Sequence, residues 1–87
     1  MVKQKICIQN KTGLHARPAN EFVKTAAQYP CKVTFRKGEK AFNGKSIVSV
    51  LSACVTCGTS IEIVCDGERE EEALRNLVQA VEAGLGE

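Results

Sequence analysis

Hydrophobic periodicity switches several times along this chain between two residues and about 3.6, and the order of those switches constrains the fold most. Residues 2–8 alternate, with Val2, Ile6 and Ile8 on one face and Lys3, Lys5 and Cys7 on the other. That is a strand with one wet side. Asn10, Lys11, Thr12 and Gly13 form a turn cluster. From Ala16 to about Gln28, Ala19, Phe22, Val23 and Ala26 recur at helical spacing opposite Arg17, Glu21 and Lys24, and Pro30 closes the pattern. Residues 31–36 alternate again, with Val33 and Phe35 inward. Lys37, Gly38 and Glu39 make a hairpin turn, and residues 40–42 a short return strand. Ser46 is a good N-cap for a brief apolar helix over residues 47–53. Residues 60–65 form a fourth strand with Ile61, Ile63 and Cys65 inward. A last helix over residues 70–83 carries a stripe of Ala73, Leu74, Leu77, Val78 and Val81. Three glutamates (Glu70, Glu71, Glu72) favour its positive start. The order β-α-β-β-α-β-α, with one apolar face on every element, predicts an α+β fold in two layers. The predicted sheet is antiparallel, with its second face open to water.

At 87 residues this is one domain over 1–87. The net charge of +2 is too small for a nucleic-acid footprint. No apolar run approaches the roughly 18–20 residues that span a bilayer, and Lys3, Gln4 and Lys5 interrupt any apolar leader. The expectation is a cytoplasmic protein with no membrane insertion and no nucleic acid. The five cysteines are an odd number, which argues against a disulfide framework. Cys54 and Cys57 have CxxC spacing, but no second pair of ligands exists for a structural zinc site. The pair also precedes Gly58 instead of opening a helix, as a thioredoxin-like site would. Reduced cysteines acting as small hydrophobes, with no metal and no cofactor, are expected. A thiol redox or metal role for the pair is the competing reading.

Chemistry concentrates in Gly13-Leu14-His15-Ala16-Arg17-Pro18-Ala19, which holds the only histidine. If His15 immediately precedes the first helical turn, the N–H groups of Ala16 and Arg17 lie beside its ring without intrahelical acceptors. The helix dipole adds positive charge there, so an anion is favoured. Pro18 suits the first turn, Gly13 permits a tight chain approach, and the Arg17 guanidinium matches phosphate oxygens. Together they describe an imidazole nucleophile whose phosphorylated form is stabilised by two amides and an arginine. A surface histidine near a helix start needs no role, but here three neighbours each solve a problem that phosphate poses. Acyl transfer is not supported, because no second histidine exists to orient a serine or cysteine.

The short helix poses a second question, since Val50 and Cys54 fall on one side of it and Val48 nearly opposite, with Ile47 and Leu51 between. Such a helix cannot bury every side chain against one sheet. Ile47, Val48 and Leu51 are then left as an exposed patch suited to protein docking, unless neighbouring loops cover it. Phosphate on Ser46 would place about two negative charges beside that patch. On physical grounds alone Ser46 is only a cap.

At these residues the chain resembles HPr, the histidine-containing phosphocarrier family of the bacterial phosphoenolpyruvate-dependent sugar phosphotransferase system. The likeness rests on residues 13–19, on Lys45-Ser-Ile-Val-Ser-Val-Leu-Ser52, on the Gly58–Ile63 segment, on the acidic start of the last helix and on total length. It implies an open-faced β-sandwich with three helices on one side of a four-stranded antiparallel sheet. It implies a carrier and not an enzyme, monomeric, in which His15 takes phosphate at Nδ1 from enzyme I and gives it to sugar-specific IIA domains. Arg17 would bind that phosphate. Ile47, Val48 and Leu51 become the docking patch, with Lys24 and Lys45 as rim charges. Ser46 matches the serine of Gram-positive members that a dedicated kinase and phosphorylase control, with a catabolite-repression regulator as partner. A regulatory paralogue acting mainly through Ser46 is the alternative. Val48 stands where methionine is common and Ser49 where glycine is frequent. Arg69 stands where an acidic N-cap is usual, a change that should weaken the cap by roughly 1 kcal/mol. Cys54 and Cys57 lie outside the family pattern.

Overall fold

The computed structural model describes residues 1–86. Seven elements follow the order that periodicity predicts: β1 (Val2–Cys7), α1 (Arg17–Ala26), β2 (Lys32–Lys37), β3 (Lys40–Asn43), α2 (Ile47–Ser52), β4 (Ser60–Asp66) and α3 (Glu70–Glu82). The strands form one antiparallel sheet in the order β1-β4-β2-β3. Its register sets Ile6 opposite Ile61, Phe35 opposite both Ile63 and Phe42, and Val33 opposite Cys65. These residues share the face packed on the helices. The outer face carries the row Lys5, Glu62 and Arg36 across three strands. This alternation pins the register, because a one-residue slip would turn every apolar side chain outward.

Aliphatic and aromatic side chains fill the space between sheet and helices. Phe22 of α1 meets the Phe35 ring edge-on at 5.7 Å between centroids, and Phe35 stacks on Phe42 at 5.4 Å. Phe22 and Phe35 are fully buried, each burial contributing about 1.5–3 kcal/mol relative to exposure. Ala73, Leu77, Val78 and Val81 of α3 are buried, as its stripe predicts. Cys31 and Cys65 join the core, and burial, with the neighbouring Cys31 second, pushes the Cys65 thiol up to about 12. Cys7, Cys54 and Cys57 are exposed. Among the described residues no three His, Cys, Asp or Glu side chains gather in a way that could hold a metal ion. No helix among them is long and apolar enough to cross a membrane.

Strand ends and the end of α3 shift by one residue from the sequence expectation, and the ends of α1 and α2 differ for physical reasons. The first helix starts at Arg17 and not at Ala16, and its regular part ends at Ala26, after which the Gln28 and Tyr29 amides tighten onto Thr25 and Ala26. The second helix stops at Ser52, with Ala53 as C-cap, because Cys54 takes a left-handed conformation at φ 53°. Cys54 therefore leaves the side it would share with Val50 and becomes exposed. Arg69 indeed offers no side-chain cap to α3. In its place Glu70 accepts the Gly67 N–H at 3.0 Å, and Arg69 forks onto Glu72 while lying 5.0 Å from the Tyr29 ring centroid.

Candidate functional site

Leu14 anchors the histidine loop. Its side chain is fully buried and its N–H donates to the Val55 carbonyl at 3.0 Å. Gly13 precedes it at φ +66°, closing a turn through its N–H to the Asn10 carbonyl at 3.0 Å. A Cβ at Gly13 would fall 2.0 Å from the Val55 oxygen, so no other residue fits this approach. Asn10 itself is buried and its side-chain amide donates to the Gly84 carbonyl beyond α3. The turn is thus fastened to two distant parts of the chain. With Leu14 below, and Pro18 and Ala19 buried beyond, His15 is half-buried while Ala16 and Arg17 are exposed.

The sequence reading takes His15 as the residue just before the helix, but the structure gives that position to Ala16. Its φ of 54° and ψ of −129° are unusual for a residue bearing a Cβ, a conformation that costs about 1–3 kcal/mol. The first bond of the helical ladder runs from Asn20 N–H to Ala16 O at 3.2 Å. The amides of Ala16 and Arg17 therefore precede the ladder, at the positive end of α1. Pro18, in the first turn, gives up no helical bond. An imidazole, two leading amides and a helix dipole are thus contiguous, an arrangement suited to an anionic group carried on the ring.

Arg17 reaches the segment after α3. Its Nη1 donates to the Gly86 carbonyl at 3.4 Å, and its side-chain stem lies against Gly86 so closely that a Cβ there would approach Cδ to 3.1 Å. This long-range contact has no local sequence signature.

On α2, Val50 alone is buried. Val48 is 73% exposed and Leu51 39%, while Ile47 is half-buried against the core. The apolar patch expected from the sequence is open to solvent at Val48 and Leu51. Ser46 caps the helix, its Oγ accepting the Ser49 N–H at 3.3 Å. Ser49 in turn accepts the Asn43 N–H at 3.0 Å, and Asn43 Oδ1 accepts the Lys45 N–H at 2.9 Å. At the far end Lys37 Nζ donates to the carbonyls of Ala53 at 2.9 Å and Cys54 at 3.1 Å. The two expected rim cations differ. Lys24 is exposed on α1, whereas Lys45 is half-buried with Nζ on the Tyr29 carbonyl at 2.5 Å.

Sequence reasoning placed Asn10 and Lys37 only in turns, gave Asn43 no part in the site, and noted Ser49 only as a replacement. Asn43 and Ser49 had a readable signal, because Asn-Gly before a capped helix is a turn in which side chains replace backbone partners. Lys37 and Asn10 had none, since their partners lie 16 and 74 residues away.

Comparison with known proteins bears on the family and the fold. Residues 2–83 match the family model described as the PTS HPr component phosphorylation site. The phosphocarrier protein HPr of Neisseria meningitidis is 42% identical over 87 residues, covering all of this chain and 98% of that protein. The HPr-like protein Crh of Bacillus subtilis is 42% identical over 82 residues, 94% of this chain and 96% of the relative. Among solved structures, HPr from Thermoanaerobacter tengcongensis superposes with a TM-score of 0.97 at 41% identity, over all of this chain and 98% of that one. A dimer of the T. tengcongensis protein also matches, at a TM-score of 0.80 over the full length of both chains.

Proposed function

The chain belongs to the HPr family of phosphocarriers, and on that premise we propose that His15 is the acceptor and donor of the phosphoryl group. The Nδ1 lone pair attacks phosphorus on phosphorylated enzyme I. As the new N–P bond forms, the bond to the enzyme I leaving group breaks, and a sugar-specific IIA domain later reverses the roles. The protein completes no reaction alone. The start of α1 immediately beyond His15 supports this reading most. With the first ladder bond at Asn20, the Ala16 and Arg17 amides and the dipole can meet the dianionic oxygens. Arg17 exchanges its long bond to Gly86 for those oxygens when the group arrives.

Ile47, Val48 and Leu51 form the docking face, which enzyme I and IIA domains share in turn. Lys24 supplies a rim charge for acidic partners, and Lys45 contributes through the loop it closes. Phosphate on Ser46, added by a serine kinase and removed by a phosphorylase, would set about two negative charges at the edge of that face. It would weaken transfer and favour a catabolite-repression regulator. The working unit is a cytoplasmic monomer. The likeness to Crh favours a second reading, in which Ser46 carries the main role.

The decisive assay is relay from phosphoenolpyruvate through enzyme I to a IIA domain. Wild type should support it, and His15→Ala should abolish it while folding normally. A wild type that never accepts the group, yet is modified on Ser46 by an HPr kinase, would favour the second reading.

A further inference from the structure

A six-residue helix is too short to hold its pose by its own ladder, and α2 buries Val50 fully, with Ile47 half-buried before it and the C-cap Ala53 buried after it. That short apolar row is a narrow seat for setting the roll of the helix about its axis. That roll decides whether Val48 and Leu51 face outward together. Polar contacts at the two ends reinforce that seat, and both come from the β2–β3 hairpin. Asn43, the last residue of β3, donates its N–H to Ser49 Oγ at 3.0 Å near the start of the helix. Lys37, the last residue of β2, puts its ammonium on Ala53 O at 2.9 Å and Cys54 O at 3.1 Å at the finish.

The second of these contacts reaches further than the helix. Cys54 is followed by Val55, whose carbonyl accepts the Leu14 N–H at 3.0 Å directly beneath His15. Gly13 packs on Val55 and Thr56 with no room for a Cβ. The chain from the Lys37 contact to the histidine loop therefore has one residue of separation and no slack. Lys37 is half-buried, and its cation lies at the negative end of the helix dipole, where the last carbonyls lack ladder partners.

We propose that Lys37 is a positioning residue for phosphoryl transfer, holding the docking helix in fixed relation to the His15 loop so that a partner meets both at once. The inference rests on the reading of His15 and α2 given above. Lys37 touches neither the phosphoryl group nor the partner. Its loss should weaken productive docking without altering the chemical step.

The test compares Lys37→Met and Lys37→Arg with wild type, with enzyme I and phosphoenolpyruvate as the phosphoryl source. Methionine keeps much of the stem and removes the cation. Lys37→Met should raise KM for the carrier about tenfold while kcat stays within about twofold of wild type. Amide exchange should quicken for residues 50–55 but not in β4. Lys37→Arg should restore most of the KM. An unchanged KM in Lys37→Met, a fall in kcat that accounts for the loss, or faster exchange spread evenly over the sheet would each overturn the proposal. A wild type that takes no phosphoryl group fails the underlying reading. A wild type that is phosphorylated normally beside an unaltered Lys37→Met fails this inference alone.

Discussion

Gly13 has the least freedom of any residue near the site, because backbone angle and space both exclude a side chain. At φ +66° and with the Val55 oxygen 2.0 Å from a would-be Cβ, Gly13→Ala must distort the loop. It should destabilise the protein by more than about 1 kcal/mol, seen as a lower urea midpoint, and slow phosphoryl uptake because Leu14 no longer seats. Cys54 presents the opposite case. Its φ of 53° costs about 1 kcal/mol that glycine would avoid, so Cys54→Gly should raise the urea midpoint. Ala16 shows how far a residue can be read from its neighbours. The sequence placed a helix start at the histidine, but only the structure gives Ala16 its positive φ, imposed by buried Leu14 on one side and buried Pro18 on the other. Arg17 was assigned to phosphate on chemistry alone. Its resting bond to Gly86 joins residues 69 positions apart and could not be read locally.

The longer elements announced themselves through their own period, α2 through its cap and β3 through the turn before it, which is why order, strand alternation and the α3 stripe were readable. The ends were harder, because ends are decided by partners. α2 shows the difference most clearly. Its cap at Ser46 was visible as a serine before an apolar run, whereas Lys37 at its finish was hidden in a hairpin turn. Ser46→Ala should remove about 1 kcal/mol of local stability, measured as faster amide exchange at Ser49 and Val50 with little change in β4. Val48→Asp should behave differently. At 73% exposure Val48 contributes little to the fold, so the unfolding free energy from a urea titration should stay within about 0.5 kcal/mol of wild type. Transfer from enzyme I should weaken through KM, because a charge then occupies the docking face. A Val48→Asp protein with unchanged KM would remove α2 from the docking surface.

Over the whole molecule, two layers leave a division of labour that thiol chemistry can read. Cys7, Cys54 and Cys57 are exposed, while Cys31 and Cys65 are buried, and the Cys65 thiol is pushed up to about 12 chiefly by that burial. A thiol reagent at neutral pH should add to three cysteines in the native protein and to all five after denaturation. Addition to all five without unfolding would contradict the burial of Cys31 and Cys65 in the core. The layers also explain why the site lies where it does. The approach to β4 through Val55 and the segment after α3 at Gly84 and Gly86 converge around residues 10–17, and the hairpin end at Lys37 holds Cys54 next to Val55. Such convergence is a property of topology and is invisible to any local pattern. The central claim is that His15 carries the phosphoryl group, and it is tested most directly by mapping that group on the intact protein. After incubation with enzyme I and phosphoenolpyruvate, fragmentation under mildly alkaline conditions should place one acid-labile phosphoryl group on the fragment bearing His15. A phosphoryl group found elsewhere, or none while a reference HPr is labelled in the same reaction, would contradict it.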